Sequence, residues 1–430
     1  MGVLGLLSSY MRTRRMRFTD RSELEAHQAR QWARHAGHTL SKSRHFQRWV
    51  GRPLAEWPTM DKALMMRHFD AMNTAGLRLD EVLEIAHASE RSRDFRSRLG
   101  RYSVGLSSGT SGGRGVFVVS PQEQSRWAGV MLARLLPAGL FHKERVALLL
   151  RAGNNLYRAV RTPWVSFEFF DLFQPLQANV RALEHWQPSI IVAPAQVLRA
   201  LAIAQREGRA HLKATRVVSV AEVLEPQDRV LLEQVFGRVD EVYQATEGFL
   251  ACTCSHGVLH LNEEFLHVEP QWLDEERFVP LITDFTRTTQ PVVRYRLDDV
   301  LVRRASGCSC GSATMALARI EGRCDDVLRL PGKNAATVDV FADVVNRALA
   351  QTLPPAVDYR LVQTDCATLA LWIEDPDADV HASAQVHLSR VMAELGVDSM
   401  RLRWVRADAP SLADFMTKRR RVRRTWSNPA

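Results

Sequence analysis

Ser107-Ser108-Gly109-Thr110-Ser111-Gly112-Gly113-Arg114-Gly115 lies between two short apolar runs, Tyr102 to Leu106 and Val116 to Val119. Glycines let a backbone come close to a ligand and turn its N–H groups toward an anion, and the hydroxyls add donors. By composition this is a phosphate cradle. It is not a Walker loop, because no Lys-Ser or Lys-Thr follows the glycines. A flexible surface loop is the plain alternative, and a position between two strands argues against it.

Outward from this loop, residues 121 to 240 alternate in character. Ser120 to Leu136, Val180 to Trp186, Val197 to Arg206 and Gln227 to Phe236 read as helices. Arg145 to Leu150, Ser189 to Ala193, Arg216 to Val220 and Glu241 to Tyr243 read as strands. Such alternation predicts an α/β fold with a mostly parallel sheet. Upstream, 21 to 100 reads as helical, with Ser22-Glu23-Leu24-Glu25 opening a polar helix and Thr59-Met60-Asp61-Lys62 shaped as a cap. From 257 to 304 the strands crowd into a β-rich subdomain. After Gly322 the chain reads as a smaller α+β unit of roughly 100 residues. The expected division is a large N-terminal domain over 1–322 and a small C-terminal domain over 323–430.

The chain has 430 residues, 46% of them hydrophobic and 24% charged, with a formal net charge of +9. That composition fits a globular protein with a sizeable core, and the charge favours anionic partners without choosing among nucleotides, CoA and nucleic acid. No apolar run reaches the ~18 residues needed to span a bilayer. Met1 to Leu7 is weakly apolar and precedes Met11-Arg12-Thr13-Arg14-Arg15, the reverse of a secretory signal. It reads as an amphipathic helix of a cytoplasmic protein, with a membrane-surface helix as the alternative.

Four further motifs carry chemistry. Tyr243-Gln244-Ala245-Thr246-Glu247-Gly248 follows a predicted strand, where a carboxylate is placed to hold Mg²⁺ against nucleotide phosphates. A helix cap by Thr246 is the bland reading. Val293-Arg294-Tyr295-Arg296-Leu297-Asp298-Asp299 ends in acids able to accept ribose hydroxyls, or to make a surface ion pair of little worth. Arg319-Ile320-Glu321-Gly322-Arg323-Cys324-Asp325-Asp326 suits a hinge. Thr417-Lys418-Arg419-Arg420-Arg421-Val422, read alone, is a nucleic-acid tail or a solvated end.

In this order, the five elements resemble the adenylate-forming ligase superfamily, which includes acyl-CoA synthetases, peptide-synthetase adenylation domains and luciferase. The resemblance runs from about 80 to 425 and leans toward the phenylacetate–CoA ligase branch, near the synthetases that nucleotidylate the methanogens' deazaflavin coenzyme. It implies a mobile C-terminal lid, ATP and Mg²⁺ as cofactors, and a small carboxylic acid joined to AMP before transfer to CoA or a carrier-protein thiol. Ser107, Ser108, Gly109, Thr110, Ser111 and Gly112 would hold the β- and γ-phosphates. The family's Lys after these glycines is replaced by Gly113-Arg114-Gly115, which leaves Arg114 or no residue to supply the cation. Ala221 and Glu222 would flank adenine. Tyr243, Gln244 and Ala245 would lie along the base and the acyl carboxylate, Thr246 would touch the α-phosphate, and Glu247 would bind Mg²⁺. Asp299 and Arg323 would hold the ribose, Asp325 would mark the hinge, and Lys418 would be the catalytic lysine, with Arg419 and Arg420 as competitors for that register.

Cys254, His260, Cys308 and Cys310 could form a Cys₃His zinc site with a structural role. Cys252 or His256 are alternatives for one ligand, and free buried cysteines are the plain reading. Asn154, Tyr157, Phe167, Phe169, Phe170 and the stretch from Pro194 to Gln196 are candidates for an aryl-type acyl pocket, against a reading as ordinary core. A competing activity is nucleotidyl transfer onto a cofactor hydroxyl, and a retired nucleotide-binding member is another. A homodimer stays open.

Overall fold

The computed structural model describes residues 3–92, 97–107, 114–136, 138–150, 165–334, 336–375, 377–409 and 418–426. The chain opens with helices α1 (Val3–Arg15) and α2 (Arg21–His38), the latter capped by Asp20, whose carboxylate accepts from the Ser22 and Glu23 amides. Short helices α3 (Lys62–Arg67) and α4 (Phe69–Met72) and the longer α5 (Leu79–Ser92) follow. Strands β1 (Arg98–Leu99), β2 (Tyr102–Leu106) and β3 (Val116–Val119) make a small antiparallel sheet. The 21–100 stretch is thus helical with irregular turns, and a strand begins at its end.

Helix α6 (Pro121–Leu135) starts at a capping box. Ser120 and Glu123 bond reciprocally, and Pro121 occupies the first turn. The Glu123 carboxylate also accepts from the Thr288 and Thr289 amides at 2.6 and 2.9 Å, which ties this helix start to a distant loop.

Strands β4 (Glu144–Leu150) and β5 (Val165–Asp171) lead into α7 (Leu176–Trp186), β6 (Ile190–Ala193), α8 (Ala195–Arg206), β7 (Arg216–Val220), α9 (Pro226–Phe236) and β8 (Arg238–Gln244). These five strands are parallel, in the order β5-β4-β6-β7-β8. All of β6 and β7 is buried, as expected where helices cover both faces of a parallel sheet. One face packs on α7, α8 and α9 through Leu183, Leu198, Leu201 and Leu232. The other packs on α6 and α1 through Val130, Met131 and Leu6. Strand β5 was not expected. Its sequence, Val-Ser-Phe-Glu-Phe-Phe-Asp, alternates and sits at the sheet edge, where a continuous apolar run is not required.

From β9 (Phe249–Thr253) onward the pairing turns antiparallel. Strands β10 (Leu259–Leu261), β11 (Leu266–Trp272), β12 (Arg277–Asp284), β13 (Val292–Arg296), β14 (Asp299–Arg303) and β15 (Ala316–Arg323) extend the same sheet to twelve strands. The sheet is therefore mixed, half parallel and half β-rich.

The remaining elements are β16 (Leu328–Pro331), β17 (Thr337–Val340), α10 (Ala342–Ala350), β18 (Tyr359–Gln363), β19 (Thr368–Ile373), α11 (Ala378–Glu394), β20 (Arg403–Arg406) and β21 (Val422–Arg424). They enclose a core of their own around Leu330, Leu349, Leu361, Leu388 and Met392. The last strand enters a four-stranded sheet beside β18, in parallel register with Leu361 opposite Val422. Among the described residues no helix is long and apolar enough to cross a membrane.

Candidate active site

The carboxyl ends of β7 and β8 face the start of β14, and the sequence motifs converge there. Tyr243 is buried near the end of β8, and its hydroxyl donates to Asp299 Oδ2 at 2.6 Å. Burial, then the Asp299 charge, raise the Tyr243 pKa well above its usual value, so it stays a donor. Asp299 opens β14 and lies directly opposite Arg323 on β15. The Arg323 guanidinium itself bonds Asp298 at 2.9 Å. The two residues expected at the ribose are thus cross-strand neighbours, with Asp298 holding the arginine.

After Gln244 the chain turns sharply. The Ala245 amide donates to the Gly248 carbonyl at 3.0 Å. A Cβ at Gly248 would meet Asp284 Oδ2 at 2.7 Å, so a larger residue here would have to displace that carboxylate. The turn presents Thr246 and Glu247. Burial raises the Glu247 pKa from its ordinary value, against a hydrogen bond from Tyr295 and the charge of Lys62, with Asp299 adding to the rise. A desolvated carboxylate among oxygen donors fits a hard dication such as Mg²⁺.

Lys62 was legible only as part of a helix start. It stands at the first position of α3, capped by Asp61. Its stem passes Gly115, where an added Cβ would lie 3.6 Å from Lys62 Cγ. It therefore runs between the base of the glycine loop and Glu247. Arg114, the other cation at the loop, is committed elsewhere. Its guanidinium forms a two-point ion pair with Glu90 of α5, one contact at 2.6 Å, and its Nε donates to the Ser107 carbonyl at 3.1 Å. Ser107 closes the loop base, since its amide donates to Gly115 O at 2.7 Å and its Oγ accepts from Gly115 N at 2.8 Å. Ser108, Gly109, Thr110, Ser111 and Gly112 lie outside the described residues.

Ala221 follows β7 with φ +66, a left-handed conformation that costs a non-glycine residue roughly 1–2 kcal/mol. Glu222, next to it, accepts from the Gln196 side chain at 2.9 Å and from the Arg419 amide at 3.4 Å. The C-terminal segment is thereby drawn to the strand ends, and Lys418 sits one residue before that contact. The arginines after it are not a solvated tail. Arg421, 3% exposed, pairs with Asp228 at 3.1 Å and Asp358 at 2.9 Å. Arg419 pairs with the same two carboxylates, and Arg420 pairs with Asp326 at 3.1 Å. Arg199 of α8 reaches Asp228 at 3.3 Å. Burial raises the Asp358 pKa, but Arg419, Arg421 and Arg199 outweigh it and hold this carboxyl at about 2. The three residues that follow Lys418 are thus all engaged in ion pairs. Asp325, the expected hinge, is exposed in the short turn Cys324–Asp326 between β15 and β16.

Beneath Ala221 and Gln244 lies an apolar cavity of about 180 Å³ between α6 and the parallel strands. Met131, Leu135, Leu148, Phe167, Val192 and Val220 line it, and Trp127 stands at its mouth, donating to Gln244 Oε1 at 3.1 Å. Of the residues proposed from sequence for an acyl pocket, Phe167 lines this cavity. Phe169 packs on the same core, and Phe170 faces the opposite side of the sheet. Pro194 caps the start of α8 and is not part of the described lining. Asn154 and Tyr157 lie outside the described residues. The α6 contribution was missed because an apolar helix stripe reads equally well as plain core.

Away from this cleft, Cys254, His260, Cys308 and Cys310 bring their ligand atoms within 4.8 Å of one another. Cys254 Sγ and Cys308 Sγ are 3.7 Å apart, and Cys310 Sγ and His260 Nε2 are 3.5 Å apart. A tetrahedral zinc with its usual bond lengths requires edges of roughly 3.8 Å for S–S and 3.6 Å for S–N. His260 Nδ1 is engaged by Thr314 at 3.1 Å, which directs Nε2 to the cluster. Cys252 points instead to Asn262 Oδ1 at 3.4 Å, and His256 Nδ1 to Ser309 at 3.0 Å, so neither competes for the site.

No known protein family and no curated protein matches the sequence. Solved structures do match the fold. A 2-hydroxyisobutyryl-CoA ligase in its postadenylation state, in complex with its acyl-AMP, superposes with a TM-score of 0.67 at 16% identity, over 93% of this chain and 88% of that one. An open conformation of the same ligase gives 0.58 at 16% identity, over 92% and 89% of the two chains. The amide bond synthetase McbA from Marinactinospora thermotolerans gives 0.53 at 15% identity, over 74% and 68%. The fold is that of the adenylate-forming ligases.

Proposed function

We propose that this protein is an ATP-dependent ligase that activates a small apolar carboxylic acid as its acyl-adenylate and passes the acyl group to a thiol, with CoA as the acceptor. One observation carries the reading: an apolar cavity opens under Ala221 and Gln244, at the strand ends where Glu247, Asp299 and the segment bearing Lys418 converge. A carboxylate placed at that mouth would have its tail in the cavity and its oxygens toward the nucleotide site. The cavity is somewhat larger than the ~150 Å³ apolar void that accepts benzene, so it suits a phenyl-sized or branched aliphatic tail.

In this reading Asp299 accepts the ribose hydroxyls, and Arg323, held by Asp298, flanks them. Ala221 and Glu222 border the adenine. Thr246 would touch the α-phosphate, and Glu247 would hold Mg²⁺, which when bound would neutralise charge on the phosphates. Lys418 approaches the α-phosphate as the carboxylate attacks, and stabilises the negative charge gathered there. Lys62 takes the place of the lysine that the glycine loop lacks, because Arg114 is bound to Glu90. Rotation of the C-terminal unit about Asp325 would then withdraw Lys418 and admit the thiol. The Cys₃His cluster would hold a structural zinc, since four protein ligands leave no open position.

The test is acid-dependent ATP–pyrophosphate exchange across linear, branched, aryl and amino acids. Exchange with apolar acids of six to eight carbons is expected, and its suppression by Lys418→Ala and by Glu247→Gln. Exchange without any acid, or none with any acid, would remove the reading.

A further inference from the structure

Helix α1 has two apolar faces. The inner one, Leu6 and Tyr10, is buried against α6. Ser9 Oγ donates to the Arg126 carbonyl at 2.9 Å, and Gly129 lies so near the Leu6 carbonyl that a Cβ would come within 2.5 Å of it. This docking fixes which side of α1 faces outward. On that side Val3, Leu4, Leu7 and Met11 are exposed at 65%, 83%, 41% and 46%. At 3.6 residues per turn these four fall within a sector of roughly 100°. Arg14 falls within the same sector and Arg15 just beyond its edge, both exposed in the last turn, and Arg17 is exposed just after the helix ends. No Asp or Glu occurs before Asp20. The turn after α6 adds Phe141, 78% exposed, two residues beyond Gly139, where a Cβ would lie 3.2 Å from the Tyr10 hydroxyl.

Scattered exposed apolar residues need no explanation, but a continuous stripe on one docked helix does. We propose that the outer face of α1 binds the surface of an anionic lipid bilayer, with the stripe entering the headgroup–acyl boundary and the arginines meeting lipid phosphates. Charge complementarity selects this occupant. A second copy of the chain would offer the same carboxylate-free helix, with nothing for the arginines. A nucleic acid would match the arginines but not the stripe. The proposal goes beyond the catalytic reading and does not depend on it.

The test is flotation of the full chain with vesicles of phosphatidylcholine alone and of phosphatidylcholine with phosphatidylglycerol. Binding is expected only to the anionic vesicles. Leu4→Asp with Leu7→Asp should abolish it, and Arg14→Glu with Arg15→Glu should weaken it by at least roughly 30-fold, about fivefold for each positive charge removed. Met400→Asp, at a residue 92% exposed on another part of the chain, should bind as the wild type does. All these positions are exposed, so folding is checked by an unchanged melting temperature. No binding to anionic vesicles, or equal binding by the Leu4/Leu7 variant, would overturn the proposal. So would a wild-type dimer in light scattering that becomes monomeric in that variant without any vesicle effect.

Discussion

Replacing Asp228 with Asn tests how the C-terminal segment is held over the site. Asp228, on α9, is fully buried and receives Arg199 at 3.3 Å, Arg421 at 3.1 Å and Arg419. Arg419 and Arg421 belong to the segment that follows Lys418, and Arg199 stays with the parallel sheet. The substitution leaves Arg419 and Arg421 with Asp358 alone, and Arg199 with the Ala356 carbonyl and with Glu374 at 3.9 Å. Removing one partner from a buried ionic cluster costs about 3–5 kcal/mol. Each unit keeps its own core, so most of that cost should fall on docking and not on folding of either unit. At about 1.4 kcal/mol per tenfold, a 3 kcal/mol loss lowers the docking equilibrium constant by roughly 10². Acid-dependent pyrophosphate exchange should fall by up to about that factor. Thioester formation from a supplied acyl-adenylate, which on this reading follows release of Lys418, should fall by less than about threefold. Measuring both half-reactions on one preparation decides the matter. Equal losses in both, or full exchange activity, would refute the assignment of Asp228 as the anchor of the docked segment.

Other outcomes follow from the same geometry. Lys62→Met should lower the adenylation rate by about 10²–10³, the usual cost of losing one electrostatic partner, while Arg114→Gln should cost far less; similar losses in both would return the loop cation to Arg114. The purified chain should carry one zinc, read by elemental analysis. Cys308→Ser with Cys310→Ser should lose it and melt lower, whereas Cys252→Ser should keep it. Glu225, which accepts from Asn346 at 2.6 Å, is pushed up to about 7 by burial. A carboxyl raised in the folded state favours folding fully below its unfolded pKa near 4.5, and that contribution is lost as pH climbs to 7. Glu225→Gln should therefore raise stability above pH 7 by up to about 3 kcal/mol and do little at pH 4. A pH-independent difference in denaturation midpoints would contradict this.

The α/β alternation from 121 to 240 was readable because β6 is wholly apolar and β7 nearly so, its one buried charge, Arg216, being paired with Asp240. The strand-end motif was readable for a related reason. Tyr243, the tight turn at Gly248 and Glu247 are consecutive in the chain, so their chemistry is written in one short word. The β5 edge strand escaped because an edge relaxes that demand. Trp127 and Met131 escaped because an apolar helix face looks the same whether it meets a packed core or roofs a cavity.

Sequence by itself determined the layered fold, the order of the candidate nucleotide-binding segments and the set of cysteines from which the Cys/His cluster is drawn, since each rests on local pattern or on the identity of a few residues. Only the tertiary structure decided which cysteines meet, that Arg114 is taken by Glu90 while Lys62 runs past the loop, and that the basic run after Lys418 is buried against Asp228 and Asp358. The physical reason is distance along the chain. Charges and ligands act through space over a few ångströms, and partners separated by anything from 24 to 193 residues leave no regular spacing in the sequence from which their meeting can be read.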